Sequence, residues 1–322
     1  MTVQPVLEVR NLVTHYRSVE RGKTIKAVDD VSLKVYPGEI VGLIGESGCG
    51  KSSLGRTIVG LARSSAGQVI LNGIDLSTLK GRALRRTRSQ IQYIFQDPYS
   101  SLNDRQTIGE ALQEALVIAG AQDAEQRTTR VGALLDQVGL PVSVRDRYGR
   151  ELSGGQRQRV AIARSLALNP KVLICDEPVS ALDLSVRAQV MNLFLDLRRD
   201  LGLACLFIAH DLALVRQAAS RSYVMYLGKI VEAASSDALY RTPAHPYSKA
   251  LLASVPNPDP FIEKARRAVP LMGDIPSPIN PPSGCRFRTR CAIAVASCAE
   301  SVPDMVALAQ DHHAACRFAG QA

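Results

Sequence analysis

The stretch Gly45 to Ser53, reading GESGCGKSS, constrains this chain more than any other. It follows the apolar run Ile40, Val41, Gly42, Leu43, Ile44 and precedes Leu54 to Val59, which read as the first turns of a helix. Strand, glycine-rich turn and helix are the context in which the pattern G-x-x-x-x-G-K-[ST] builds a phosphate-binding loop. Gly45, Gly48 and Gly50 permit a tight turn and bring backbone N–H groups close to phosphate oxygens. Glu46, Ser47, Cys49 and Ser53 complete the loop. A helix starting at Lys51 adds the positive end of its dipole. Lys51 supplies a point charge for the β- and γ-phosphates, and the Ser52 hydroxyl can ligate Mg²⁺.

A length of 322 residues suggests about two domains. No stretch approaches the ~20 consecutive apolar residues that cross a bilayer. The N-terminus carries Glu8 rather than a basic, then apolar, leader. The chain therefore reads as soluble and intracellular, so that any membrane role requires docking on another protein. The net charge is +9, from 39 Lys and Arg against 30 Asp and Glu. With no Trp and no basic run interleaved with aromatics, it reads as a basic surface rather than a nucleic-acid interface.

Along the chain, residues 6–44 read as β-rich, with Val31, Leu33 and Val35 alternating as in a half-buried strand. Tyr16 is placed in a polar loop before these strands, where its ring could stack on a base. Residues 67–76 read as a hairpin around Asn72-Gly73, and Lys80 to Arg88 as a solvated basic helix face. Ile91 to Phe95 is a strand whose end presents Gln96, since Pro98 disfavours helix at Asp97. Residues 107–150 show helical spacing. They lead to Ser153-Gly154-Gly155-Gln156, a capped helix start and a second anion site about a hundred residues after the first.

Val172 to Cys175 is a buried strand ending in Asp176-Glu177, and an Asp in that place organises Mg²⁺ in phosphate-loop proteins. Strand alternation is expected to turn Glu177 the other way, where it can polarise a water. Ser180 to Asp183 forms a short loop. Leu203 to Ala209 is a further strand ending in His210, which is assigned to a γ-phosphate. Ser222 to Glu232 reads as a hairpin around Gly228-Lys229. Beyond residue 242 prolines break up the chain, Pro256, Pro258, Pro260 and Pro270 among them, and a domain boundary is placed there.

Together GESGCGKSS, Gln96, LSGGQ at 152–156, LICDEP at 173–178, SALD at 180–183 and His210 resemble the ATP-binding-cassette (ABC) ATPases. The resemblance spans residues 6–240. HPYSKALL, PSPINPPSGC and YIFQDPYSSLN at 93–103 resemble its oligopeptide/dipeptide importer branch. It implies an α/β P-loop NTPase cassette over residues 1–242, with a RecA-like core, an antiparallel β subdomain and a helical subdomain at about 100–168. An irregular Cys-rich extension follows at 243–322. It also implies that Tyr16 stacks on adenine, that Lys51 and residues 45–53 hold ATP, and that Ser52, Gln96 and Asp176 organise Mg²⁺. Glu177 would then activate water and His210 would contact the γ-phosphate. Ser153, Gly154, Gly155 and Gln156 would close over ATP on a second ABC subunit, with Asp183 coupling the two sites. The implied assembly is an importer motor on the cytoplasmic face of the inner membrane. Its parts are a second cassette, a paralogue by resemblance, two transmembrane permease subunits and an extracytoplasmic solute-binding protein. The alternative is a soluble ABC protein acting on nucleic acid or ribosomes. Such proteins usually carry tandem cassettes or a long coiled-coil insertion, and this chain has neither.

The cysteines fall in two sets. Cys49, Cys175 and Cys205 lie in apolar or glycine-rich segments and read as buried and inert. Cys285-x5-Cys291-x6-Cys298-x17-Cys316 can supply four thiolates to a [4Fe–4S] cluster or to tetrahedral Zn²⁺. Free thiols are the plainer alternative. The resemblance favours the iron–sulfur cluster. His312 and His313 are further candidate ligands but read as exposed.

Overall fold

The computed structural model describes residues 3–97, 102–121, 123–254, 271 and 273–320. Pro98 and the prolines at 256, 258, 260 and 270 lie outside the described residues. In chain order the strands are β1 (Leu7–Arg17), β2 (Thr24–Val35), β3 (Ile40–Ile44), β4 (Ala66–Leu71), β5 (Ile74–Asp75), β6 (Ile91–Ile94), β7 (Val172–Asp176), β8 (Ala204–Ala209), β9 (Arg221–Tyr226), β10 (Lys229–Ser235), β11 (Val306–Ala309) and β12 (His312–Ala314). The α-helices are α1 (Lys51–Val59), α2 (Gly81–Arg88), α3 (Ile108–Ile118), α4 (Ala124–Gln137), α5 (Gly154–Leu166), α6 (Leu184–Leu201), α7 (Leu212–Ala218), α8 (Ser236–Arg241) and α9 (Pro246–Ala253). Among the described residues, no helix is long and apolar enough to cross a membrane.

The chain divides into two compact units, one comprising Met1–Glu8, Lys34–Ile40 and Ile70–Phe207, the other Val9–Leu33, Val41–Val69 and Ile208–Ala322. In the first, β6 and β7 pair in parallel, from Ile91 opposite Val172 to Ile94 opposite Cys175, and the strand order is β8-β7-β6. Every residue of β7 and β8 is buried, which is why both are continuous apolar runs rather than alternating ones. Phe194 of α6 meets Phe207 of β8 edge to face, at 5.6 Å between centroids. The α3–α5 helices pack on one another, and each begins on a side-chain cap, from Thr107, Asp123 and Ser153. The β4–β5 hairpin turns at Asn72-Gly73, both left-handed, as the sequence implies. The basic helix α2 buries no residue.

In the second unit β3 pairs in parallel with β9, and β9 pairs antiparallel with β10, turning at Leu227-Gly228, one residue earlier than expected. β2 alternates as predicted, with Val31, Leu33 and Val35 buried. Two expectations are corrected. Tyr16 lies on β1, not in a loop, at the exposed end of a strand whose last buried residue is Thr14. The segment after residue 242 is not wholly irregular. It forms α9 on the cap of His245, and it adds β12 to β10 with β11 beyond it.

What holds this segment is the fully buried Glu232. Its carboxylate accepts from the Ala244 and His245 amides, both at 2.8 Å, and lies 2.8 Å from His312 Nε2. His312 is therefore buried, contrary to expectation, because a carboxylate partner replaces the water it leaves. Burial pushes the His245 imidazole down to about 3, so it is neutral and its Nδ1 accepts from the Tyr247 amide at 3.0 Å.

Replacing Glu232 by Ala strands three buried donors, each worth about 1–3 kcal/mol. Glu232→Ala is expected to cost about 3 kcal/mol or more, measured as a lowered denaturation midpoint.

Candidate functional site

In the second unit β3 runs straight into the loop at residues 45–50, and α1 begins at Lys51 as expected. The glycines answer two different needs. A Cβ on Gly45 would lie 2.2 Å from the Met225 carbonyl oxygen, and one on Gly50 would lie 2.0 Å from that of Ala27. Gly48 has open space around it and needs only its φ of +77°. The Lys51 side chain is buried, and its ammonium donates to the Gly45 and Glu46 carbonyls at 2.7 and 2.9 Å. The N-terminus of α1 carries no acidic residue and no side-chain cap, so its amides remain suited to an anion. Ser52 and Ser53 follow in the first turn. His210 stands just after β8, exposed, and the Tyr16 ring on β1 is 36% exposed.

The loop is braced by two residues that sequence reasoning missed. The Glu46 amide donates to the Tyr247 hydroxyl at 2.8 Å, and the Glu46 carboxylate accepts both guanidinium nitrogens of Arg290, at 2.7 and 3.1 Å. Tyr247 belongs to the HPYSKALL stretch, noted for its resemblance and not for this contact. Arg290 had no local signal.

In the first unit the other predicted residues gather at the end of β7. Asp176 is buried and accepts from the Tyr93 hydroxyl at 2.5 Å, a partner the sequence did not reveal. Gln96 Nε2 donates to Glu177 Oε2 at 2.8 Å, so two residues 81 positions apart are brought together. The expected reason for the aim of Glu177 is corrected. It lies beyond β7 with φ of +47°, so a left-handed turn, not strand alternation, redirects it. The Ser180 amide and hydroxyl both donate to the Glu177 carbonyl, which holds that strained turn. Arg187 then binds the Ser180 and Leu182 carbonyls, fixing the loop that leads to Asp183 at the exposed start of α6.

Ser153 and Gln156 form a reciprocal capping box at the start of α5. A Cβ on Gly155 would meet Val186 Cγ1 at 2.3 Å, so that glycine lets α5 approach α6, and Gly154 lies beside Leu182.

Residues 28–180 match the family model described as ABC transporter, and residues 231–298 match that of the oligopeptide/dipeptide transporter C-terminal region. A putative peptide import ATP-binding protein of Brucella ovis is 50% identical over 316 residues, 98% of each chain. The oligopeptide transport ATP-binding protein OppF of Salmonella typhimurium is 49% identical over 307 residues, 92% of each chain. The chain belongs to the ABC transporter family. Its fold is that of the ABC ATPase cassette. The dimeric post-hydrolysis structure of the cassette MJ0796 with ADP and Pi is 29% identical, with a TM-score of 0.63, over 71% of this chain and 98% of that one.

The remaining predicted set, Cys285, Cys291, Cys298 and Cys316, converges on one cavity, together with His245, Phe287 and Phe318. Burial pushes the Cys285, Cys291 and Cys316 thiols up. Among the described residues, no group of three or more His, Cys, Asp or Glu is arranged to hold a metal ion. Cys49, Cys175 and Cys205 are buried as expected, and burial raises Cys49 and Cys175.

Gly48→Ala is expected to cost about 1 kcal/mol, the price of a side chain in a left-handed conformation. Gly50→Ala adds a collision with the Ala27 carbonyl. It is expected to cost at least about 2 kcal/mol and to abolish nucleotide binding. Chemical denaturation and nucleotide titration of both variants check the contrast.

Proposed function

We propose that this chain is the ATP-hydrolysing subunit of an ABC importer for peptides or related small solutes, acting at the cytoplasmic face of the inner membrane. The peptide-import and oligopeptide-transport relatives and the C-terminal region match at 231–298 support the reading. The observation that carries it is Glu177, held in a strained turn past β7 with Gln96 on its carboxylate. A carboxylate held in one direction supports a role in orienting a water. The partners are proposed to be a second cassette, a paralogue, with two permease subunits and an extracytoplasmic solute-binding protein. The cassette is assigned to residues 1–242 and the extension to 243–322.

The proposed roles follow from the donor chemistry. Lys51 and the loop amides hold the β- and γ-phosphates. Ser52, Gln96 and Asp176 offer hard oxygen donors of the kind Mg²⁺ takes, and Tyr93 holds Asp176 in one orientation. Magnesium, when bound, neutralises charge developing between the phosphates. Glu177 orients or deprotonates the attacking water, and His210 contacts the γ-phosphate. Tyr16 stacks on adenine. Ser153, Gly154, Gly155 and Gln156 meet the ATP of the partner cassette, and Asp183 couples the two sites. ATP thus acts as the adhesive between cassettes, and its cleavage releases them.

The four C-terminal cysteines are proposed to hold a structural [4Fe–4S] cluster rather than Zn²⁺. Four soft donors on a shared apolar cavity support this, and no catalytic step depends on it.

Two measurements follow. Glu177→Gln is expected to keep ATP affinity within about twofold while losing most turnover, about a hundredfold or more; near-normal hydrolysis would remove Glu177 from its role. Anaerobically purified protein is expected to be brown, absorbing near ~400 nm, with iron and sulfide in equal amounts. Colourless protein with one zinc per chain would reverse the metal assignment.

A further inference from the structure

The phosphate loop of this chain carries an anion of its own. The Glu46 carbonyl is 2.9 Å from the Lys51 ammonium, so the Glu46 carboxylate is no more than a side chain's length from the cation assigned to the β- and γ-phosphates. That distance lies within the ~8–10 Å over which charges act at physiological salt. Left alone, this carboxylate opposes triphosphate binding. It is not left alone. Arg290, from the Cys-rich segment and 244 positions away, grips both of its oxygens, and the Arg290 side chain is only 4% exposed. The guanidinium also lies over the Tyr226 ring, at 5.9 Å from the centroid. Tyr226, Tyr247 and Phe287 pack together, with centroids 4.7–5.4 Å apart, and Tyr247 takes the Glu46 amide on its hydroxyl. Side chain and backbone of Glu46 are thus both set by residues outside the cassette motifs. A bidentate pair whose arginine is buried is more than a surface ion pair.

We propose that Arg290 is a positioning residue of the nucleotide site: it neutralises Glu46 and holds its carboxylate away from the triphosphate, so that the C-terminal extension sets ATP affinity. The inference rests on residues 45–53 being the nucleotide site.

The test is equilibrium binding of adenosine, ADP and ATP to the full chain, with KM and kcat for ATP in the assembled transporter. Lys51→Ala serves as the control for the site itself. If the wild type binds ATP and Lys51→Ala does not, the site assignment stands, and the Arg290 variants then test this inference alone. Arg290→Met is expected to weaken ATP on the order of tenfold, ADP less, and adenosine hardly at all, because the effect follows ligand charge. KM is expected to rise with kcat nearly unchanged. Glu46→Gln/Arg290→Met, which removes both charges, is expected to recover most of the lost affinity. Should Arg290→Met fail to fold, the uncharged Arg290→Gln and the double variant carry the same comparison. Wild-type ATP affinity in Arg290→Met would overturn the inference. So would an equal loss for all three ligands, or a double variant no better than the single one.

Discussion

The backbone of the loop at residues 45–50 is packed so closely that two of its positions admit no side chain. Gly45 sits against the Met225 carbonyl and Gly50 against that of Ala27. Everything near the loop follows from this approach. The parallel pairing of β3 with β9 presents the loop at a strand end, and the Gly228 amide bonds the Cys49 carbonyl to close it. A loop held by backbone contacts and by the Tyr247 and Arg290 side chains is pre-organised, so in the proposed site its amides would need little reordering to meet phosphate. The cost of ordering is met on folding, by contacts spread across β2, β9 and α9.

The carboxylate end of β7 is organised differently. There, side chains do the holding: Tyr93 on Asp176, Gln96 on Glu177, Ser180 beneath the strained Glu177 turn, and Arg187 on the loop that follows. Strain at Glu177 persists because several hydrogen bonds oppose its relaxation. Such a site is fixed in direction, as the proposed activation of a water requires. The start of α5 combines both devices, a side-chain capping box and a glycine that lets two helices touch.

Much of this was legible in the sequence. Continuous apolar runs gave β3, β7 and β8, because strands buried on both faces have no polar residues to alternate. The alternation of Val31, Leu33 and Val35 gave β2, and Ser153 as an N-cap announced the start of α5. What escaped were pairings between residues distant in the chain. Nothing near Glu232 foretells His312, nothing near Glu46 foretells Arg290, and a strand of three residues such as β12 has no period to read. The turn at Glu177 escaped for a different reason. A left-handed residue that is neither Gly nor Asn carries no local signature, and only the Ser180 contacts reveal why it is tolerated.

The central proposal is that nucleotide is held between two cassettes, the phosphate loop of one facing the Ser153 helix start of the other. The most direct measurement is a structure of the assembled transporter with Mg²⁺ and a non-hydrolysable ATP analogue. The account predicts that the triphosphate lies on residues 45–53 with Ser153 and Gly155 of a second cassette on its γ-phosphate. A triphosphate bound at the loop with no second cassette opposite, and Ser153 remote from any nucleotide, would contradict it.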